Sequence, residues 1–238
     1  MSELTYEIRT RIRSVQVDRT RKIRTSELFR LLQEASIAHT EALGCTRRET
    51  LDRGVLWVIA RQSLQIEALP EYDDEVVIRS WPGEMMHVFF PRFYEVLRDG
   101  QCIVRGEAIW MLIDADSRAM VMPEDYGIAL RGRPGSPELL IPAVTMPKGA
   151  EPAYEQEAEP RFSQIDINGH MNNARYFDLI EDRMPAEQHE RTPKRILANY
   201  SNELRECERF TLRGFETAGD WTYEGASEKV KFRISLHY

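Results

Sequence analysis

The chain has 238 residues, 42% hydrophobic and 30% charged, enough for one large core or two small ones, since domains commonly run about 100–150 residues. No apolar run approaches the roughly 18–20 residues that a membrane span requires, which excludes a transmembrane helix, and a net charge of −7 excludes general affinity for nucleic-acid phosphates. Met1–Glu7 carries no basic region followed by an apolar stretch, so the expected compartment is the cytoplasm. Cys45, Cys102 and Cys207 are odd in number and lack CxxC spacing, so neither a disulfide framework nor a thiolate zinc site is expected.

In chain order, Arg9, Arg11 and Arg13 alternate with Thr10 and Ile12, and Val15 and Val17 continue the period of two. This predicts a strand over residues 7–17 with one basic face. Residues 1–30 hold eight Lys or Arg against four acids, an excess that either docks an acidic partner or only solubilises an edge strand. Ser26 is placed to cap a helix whose apolar positions Leu28, Leu31, Leu32, Ala35, Ala38, Ala42 and Leu43 follow a 3.6 period until Gly44. Four strand-like runs follow, at 56–66, 75–81, 88–97 and 102–113, punctuated by Pro70, Pro82-Gly83 and Asp99-Gly100.

Between residues 131 and 156 prolines and glycines sit among acids and small residues, which reads as a linker. Beyond it the earlier order returns: a strand near 159–165, a helix over about 173–184, and strands near 195–204, 210–215, 221–225 and 229–236. The predicted fold class is therefore α+β, a diverged tandem repeat of a helix wrapped by an antiparallel sheet. Its units are residues 1–130 and 157–238, with the two sheets able to join edge to edge.

Between the first strand and the helix of the second unit lies Asp166-Ile167-Asn168-Gly169-His170-Met171-Asn172-Asn173. Gly169 permits a left-handed turn, and Asn172 or Asn173 can cap the helix, whose first N–H groups would suit a thioester oxyanion. For any one residue the plainer reading is an Asx-type turn with a surface histidine; the clustering of four polar side chains favours a site.

The segment Ser163 to Asn173, SQIDINGHMNN, resembles the second-half signature of plant and bacterial acyl-ACP thioesterases. Leu31-Leu32-Gln33-Glu34-Ala35, Leu56–Arg61, Val77–Pro82 and Glu107–Asp114 resemble that family's first-half segments in the same order. The resemblance implies a double hotdog that holds the acyl chain in the N-terminal half and does its chemistry in the C-terminal half. It implies hydrolysis of fatty acyl-acyl carrier protein, ending chain elongation in fatty acid biosynthesis; no cofactor is expected, and a metal site on Asp166, His170 and Glu203 is disfavoured by the single histidine among them without HxxxH spacing. The family's catalytic Asp, Asn and His fall on Asp166, Asn168 and His170. Its Tyr-x-x-Glu-Cys strand motif matches Tyr200-Ser201-Asn202-Glu203-Leu204, pointing to Glu203 and departing at Leu204, where the plant enzymes have cysteine.

The expected chemistry has His170 and Glu203 orienting and deprotonating water and Asn168 positioning water or thioester, with Asp166 as base or as nucleophile. Three alternatives keep the same fold: an acyl-CoA thioesterase, an acyl-thioester hydratase, and a non-catalytic acyl-thioester binder. The expected partner is acyl carrier protein, and a homodimer is left open. Trp57 and Trp110 line either an acyl tunnel or ordinary core. Arg92 is expected on a solvated strand face, with a substrate phosphate as the other reading.

Overall fold

The computed structural model describes residues 4–238. Strand β1 (Tyr6–Arg11) ends sooner than the 7–17 period suggests, because a 3₁₀ turn at Ser14–Gln16 follows, held by the Gln16 side chain accepting the Arg13 N–H at 2.9 Å. Helix α1 (Thr25–Ala42) buries Leu28, Phe29, Leu32, Ala35, Ser36 and His39 along one stripe, and each large apolar side chain so buried stabilises by about 1.5–3 kcal/mol. Its N-cap is Arg24 rather than Ser26, whose hydroxyl is buried with no hydrogen-bond partner among the described residues. Gly44, at φ 82°, ends the helix as expected. A short helix α2 (Arg47–Asp52) follows that the period analysis does not predict. Its reciprocal capping box, Thr46 with Glu49, is nevertheless written in the sequence.

The meander β2 (Val55–Ile66), β3 (Glu75–Pro82), β4 (Phe89–Arg98) and β5 (Gln101–Asp114) matches the predicted runs within a residue or two. Residues 131–153 contain neither helix nor strand, yet they are fastened down. The Arg133 N–H donates to the Pro82 carbonyl (2.8 Å), Arg61 to the Ile141 carbonyl (3.4 Å) and the Val144 N–H to Asn199 Oδ1 (3.2 Å), with Ile141 and Val144 buried.

The second half contains β6 (Tyr154–Ala158), α3 (Arg175–Glu181), β7 (Arg195–Tyr200), β8 (Phe210–Thr217), β9 (Asp220–Ala226) and β10 (Val230–His237). Here the expected strand at 159–165 is corrected to β6, because Pro160 and a 3₁₀ turn at Phe162–Gln164 break the extended chain. The expected helix over 173–184 shrinks to the seven residues of α3, and β7 stops at Tyr200, leaving Glu203 in an irregular segment.

All ten strands form one sheet, in the order β1-β3-β4-β5-β2-β7-β10-β9-β8-β6, every neighbouring pair antiparallel. Reading inward from each end, the first half runs 1-3-4-5-2 and the second 6-8-9-10-7, the same topology twice, so the fold is the predicted double hotdog. The halves join where Arg61–Gln65 pairs with Arg195–Asn199. One continuous core runs through both halves, with Phe29 of α1 stacked on Phe177 of α3 at 4.1 Å between ring centroids. Among the described residues no helix is long and apolar enough to cross a membrane.

The repeat extends to the loop before each helix. In the first half Asp18 N–H donates to the Lys22 carbonyl, Asp18 Oδ1 accepts the Thr20 N–H, Arg21 has φ 69°, and Ile23 N–H donates to the Pro70 carbonyl. In the second, Asp166 N–H donates to the His170 carbonyl, Asp166 Oδ1 accepts the Asn168 N–H, Gly169 has φ 80°, and Met171 N–H donates to the Leu204 carbonyl. Asp18, Thr20 and Lys22 thus stand where the second half has Asp166, Asn168 and His170.

Candidate active site

The fold brings the four residues singled out in the sequence to one place. The loop 166–170 is an Asx-type turn, so the plain reading of Asp166 and the site reading both hold: Asp166 Oδ1 accepts the Asn168 N–H at 2.8 Å while Oδ2 stands 3.8 Å from His170 Nδ1. Gly169 supplies the positive φ that closes the turn. His170 is buried, with Nδ1 3.3 Å from the Met171 carbonyl, which can only accept. That bond assigns the Nδ1–H tautomer and leaves Nε2 as a base. Nε2 faces Glu203 Oε1 at 3.8 Å, brought close because the Leu204 carbonyl accepts the Met171 N–H at 2.7 Å.

Asn168 is held from the first half. Arg47, on α2, donates to Asn168 Oδ1 at 3.0 Å; a guanidinium only donates, so the amide is fixed with its NH₂ group turned the other way. Of the expected oxyanion donors at the start of the helix, the Asn172 N–H is taken by the Gln164 carbonyl (2.9 Å). The Ala174 N–H is taken by Asn172 Oδ1 (3.0 Å) and the Arg175 N–H by the Asn172 carbonyl (2.9 Å). Neither Arg47 nor Arg118, which contacts Glu203, stands out in the sequence, because each acts on a segment more than 45 residues away in the chain.

The loop separates two cavities. One, of about 260 Å³, is walled by α1, α2 and β2–β5 of the first half, including Ile37, Trp57, Phe90 and Trp110, with Asp166 and Asn168 at its second-half edge. Trp57 and Trp110 therefore face a cavity. Arg92 lines it as well and is buried, not on a solvated face: it is 4% exposed, bonding His39 Nδ1 (2.8 Å), Thr40 Oγ1 (2.6 Å) and the Ser36 carbonyl (3.3 Å). Burial pushes its guanidinium down to about 10, which leaves it charged at neutral pH. On the other side of the loop an open cleft of about 660 Å³ is lined by His170 and Glu203 with Arg118, Arg205, Glu208 and Lys231.

Two family models match in succession, the acyl-ACP thioesterase N-terminal domain over residues 3–128 and the acyl-ACP thioesterase C-terminal domain over residues 148–234. The chain belongs to the acyl-ACP thioesterase family. Among acyl-ACP thioesterases, an acyl-[acyl-carrier-protein] hydrolase of Cuphea viscosissima is 23% identical over 241 residues, covering 94% of this chain and 58% of that protein. Oleoyl-acyl carrier protein thioesterase 1 of Arabidopsis thaliana is 25% identical over 203 residues, covering 77% of this chain and 56% of its own length. The chain thus spans little more than half the length of these curated relatives.

Two solved acyl-ACP thioesterase structures share its fold. One, from Bacteroides thetaiotaomicron, has a TM-score of 0.79 at 20% identity and covers 100% of this chain and 99% of its own. The other, a 12:0-ACP thioesterase from Umbellularia californica, has a TM-score of 0.81 at 18% identity and covers 98% and 93%.

Proposed function

We propose that this chain hydrolyses the thioester of fatty acyl-acyl carrier protein to free fatty acid and carrier, as a cytoplasmic step ending chain elongation in fatty acid biosynthesis. The observation that carries the reading is the convergence of Asp166, Asn168, His170 and Glu203 at one loop, with Asp166 and Asn168 at the edge of an apolar cavity built by the other half and His170 and Glu203 in the cleft behind it. Family membership supports the substrate class, and three free cysteines suit a reducing compartment. In this reading residues 1–130 hold the acyl tail, 131–156 link, and 157–238 supply the reacting groups.

The geometry supports a water mechanism. His170 Nε2 and Glu203 Oε1, 3.8 Å apart and both out of solvent, are too far for a direct hydrogen bond, and in this reading a small parting of the two side chains admits one water that both bind. That water attacks the carbonyl carbon and its proton passes to the His170–Glu203 pair. The NH₂ group of Asn168, aimed by Arg47, donates to the oxygen on which charge develops, and collapse expels the carrier's thiolate. Asp166, with one oxygen bonded to the Asn168 N–H and the other facing Nδ1, orients the loop and the imidazole.

Acyl-CoA is the competing substrate, and one observation favours keeping it in view: Arg11 of the basic first strand is already paired with Asp73 and Glu75. A panel of acyl chain lengths on both carriers, scored by thiol release, decides between them. The proposal expects a higher kcat/KM on the protein carrier at every accepted length, and equal values on CoA would assign the activity to acyl thioesters generally.

A further inference from the structure

Beside the loop, three buried polar atoms converge without a hydrogen-bond partner among the described residues: Nε2 of His170, Oε1 of Glu203 and Nη1 of Arg118. Glu203 Oε1 is their common neighbour, 3.8 Å from the imidazole and 3.5 Å from the guanidinium. Glu203 is only partly buried, but its Oε1 is out of solvent, and among the described residues only Arg118 and His170 stand at ion-pair distance from its carboxylate.

Arg118 belongs to the other half of the molecule. It stands in the turn after β5 with φ 61°, a left-handed conformation that is costly for a residue with a Cβ. The turn enforces it. Asp114 Oδ1 accepts the Ser117 N–H (2.7 Å) and the Ser117 hydroxyl (2.8 Å), and the Arg118 N–H donates to the Asp114 carbonyl (3.0 Å). The Ser117 backbone and hydroxyl hold the Asp114 carboxyl below its usual range, so the turn stays formed at neutral pH. From there the guanidinium also donates to the Asn168 carbonyl, at 3.5 Å. One side chain of the first half thus bridges the loop carrying Asn168 and His170 and the acid opposite it.

We propose that Arg118 is a positioning residue for the hydrolytic centre: it keeps the Glu203 carboxylate turned toward His170 Nε2, so that the first half completes the reactive set of the second. The proposal rests on the hydrolytic reading above. Glu203 follows the end of β7 on an irregular segment, and Arg205 and Lys231 line the same cleft. Without Arg118 its carboxylate is free to swing to either of them. The internal repeat points the same way. The first-half loop has Lys22 in place of His170, and Leu69, before Pro70, where the second half has Glu203 before Leu204. The first half therefore keeps no reactive set of its own and contributes its guanidinium across the junction.

The test compares wild type, Arg118→Gln, Arg118→Lys, Glu203→Gln and the double variant Arg118→Gln/Glu203→Gln by thiol release from an acyl thioester, with thermal melting as a check on folding. Arg118→Gln is expected to lower kcat by about 10–100-fold with KM changed by less than about twofold, and Arg118→Lys to recover about tenfold of the loss. In the Glu203→Gln background the Arg118 change should cost less than about twofold more, because a residue that acts through another has nothing left to position. A folded Arg118→Gln protein at the wild-type rate, or two losses that multiply, would overturn the proposal. Should Arg118→Gln not fold, a folded Arg118→Lys that is no better than about 1% of wild type refutes a role for the charge, and one that keeps more supports it. Wild type that hydrolyses no acyl thioester would bring down the hydrolytic reading, and this proposal with it.

Discussion

Cys207 lies in an exposed turn with φ 59°, its N–H bonded to the Pro160 carbonyl, while Leu204 is fully buried. Cys45 lines the apolar cavity, where burial pushes its thiol up and away from a thiolate. Neither Cys207 nor Cys45 thus has the setting of an activated thiolate, and burial likewise pushes the Cys102 thiol up. The proposed mechanism expects that a variant with Cys45, Cys102 and Cys207 all replaced by Ala or Ser keeps at least about half its kcat and that wild type resists thiol alkylation. Loss of turnover in the folded variant would restore a thiol mechanism. At this scale Asp166, Asn168 and His170 were legible because they fall within five consecutive positions of one turn, and Glu203 because a resemblance pointed to it. Arg47, Arg92 and Arg118 were not, because what they touch is decided by tertiary packing. Arg92 alternates with Phe90 and Tyr94 on the face of β4 that meets α1, and β4 is buried on its other face too at Pro91 and Phe93, so no alternation in the sequence marked which way Arg92 turns.

Among the elements, α1 has two jobs. One face packs the core and another, with Ser36, Ile37 and Thr40, lines the cavity. Ile37→Trp should therefore shift the ratio of kcat/KM values toward shorter acyl chains, by about tenfold or more per excluded pair of methylenes, with little change in rate on the shortest substrate accepted. A uniform loss at all lengths would remove the acyl tail from this cavity. At its other end, the Thr25 N–H of α1 donates to the Glu181 carboxylate of α3 at 3.2 Å. Burial, with help from Asp178 and Asp18, raises that carboxyl to about 6. The folded state then binds the proton more tightly than the unfolded one, so this group's contribution declines as pH rises from about 4.5 through about 6 and is level beyond. Glu181→Gln, which keeps an acceptor for Thr25, should be more stable than wild type at pH 7.5 by about 1–2 kcal/mol, the gap closing by about pH 4.5 in denaturant titrations. Strand runs were readable from alternation because most are half-buried; β6 and α3 were displaced or shortened by Pro160 and by the turns around the active loop, where polar bonds rather than apolar period set the backbone.

At the scale of the whole molecule, the repeat and the edge-to-edge joining of the sheets were legible from the order of elements. The merging of two cores into one was not, since it depends on α1 and α3 meeting through Phe29 and Phe177. The duplicated loop explains how one fold carries a single proposed site. Asp18, Thr20 and Lys22 repeat the backbone of Asp166, Asn168 and His170, but Lys22 donates to Thr192 Oγ1 at 2.9 Å and works as a tie between halves. Asp18→Asn should thus leave kcat within about twofold of wild type and act on stability alone, whereas a collapse of turnover in a folded Asp18→Asn protein would mean two working sites.

The account stands on hydrolysis at the second loop, and single-turnover thiol release from acyl-acyl carrier protein tests it most directly. Wild type and His170→Ala are compared on samples whose folding and substrate binding are measured in parallel. Wild type should release one thiol per bound acyl group, and His170→Ala should bind equally while releasing it at least about 10²-fold more slowly. Release at the wild-type rate by a folded, substrate-bound His170→Ala protein would contradict the account.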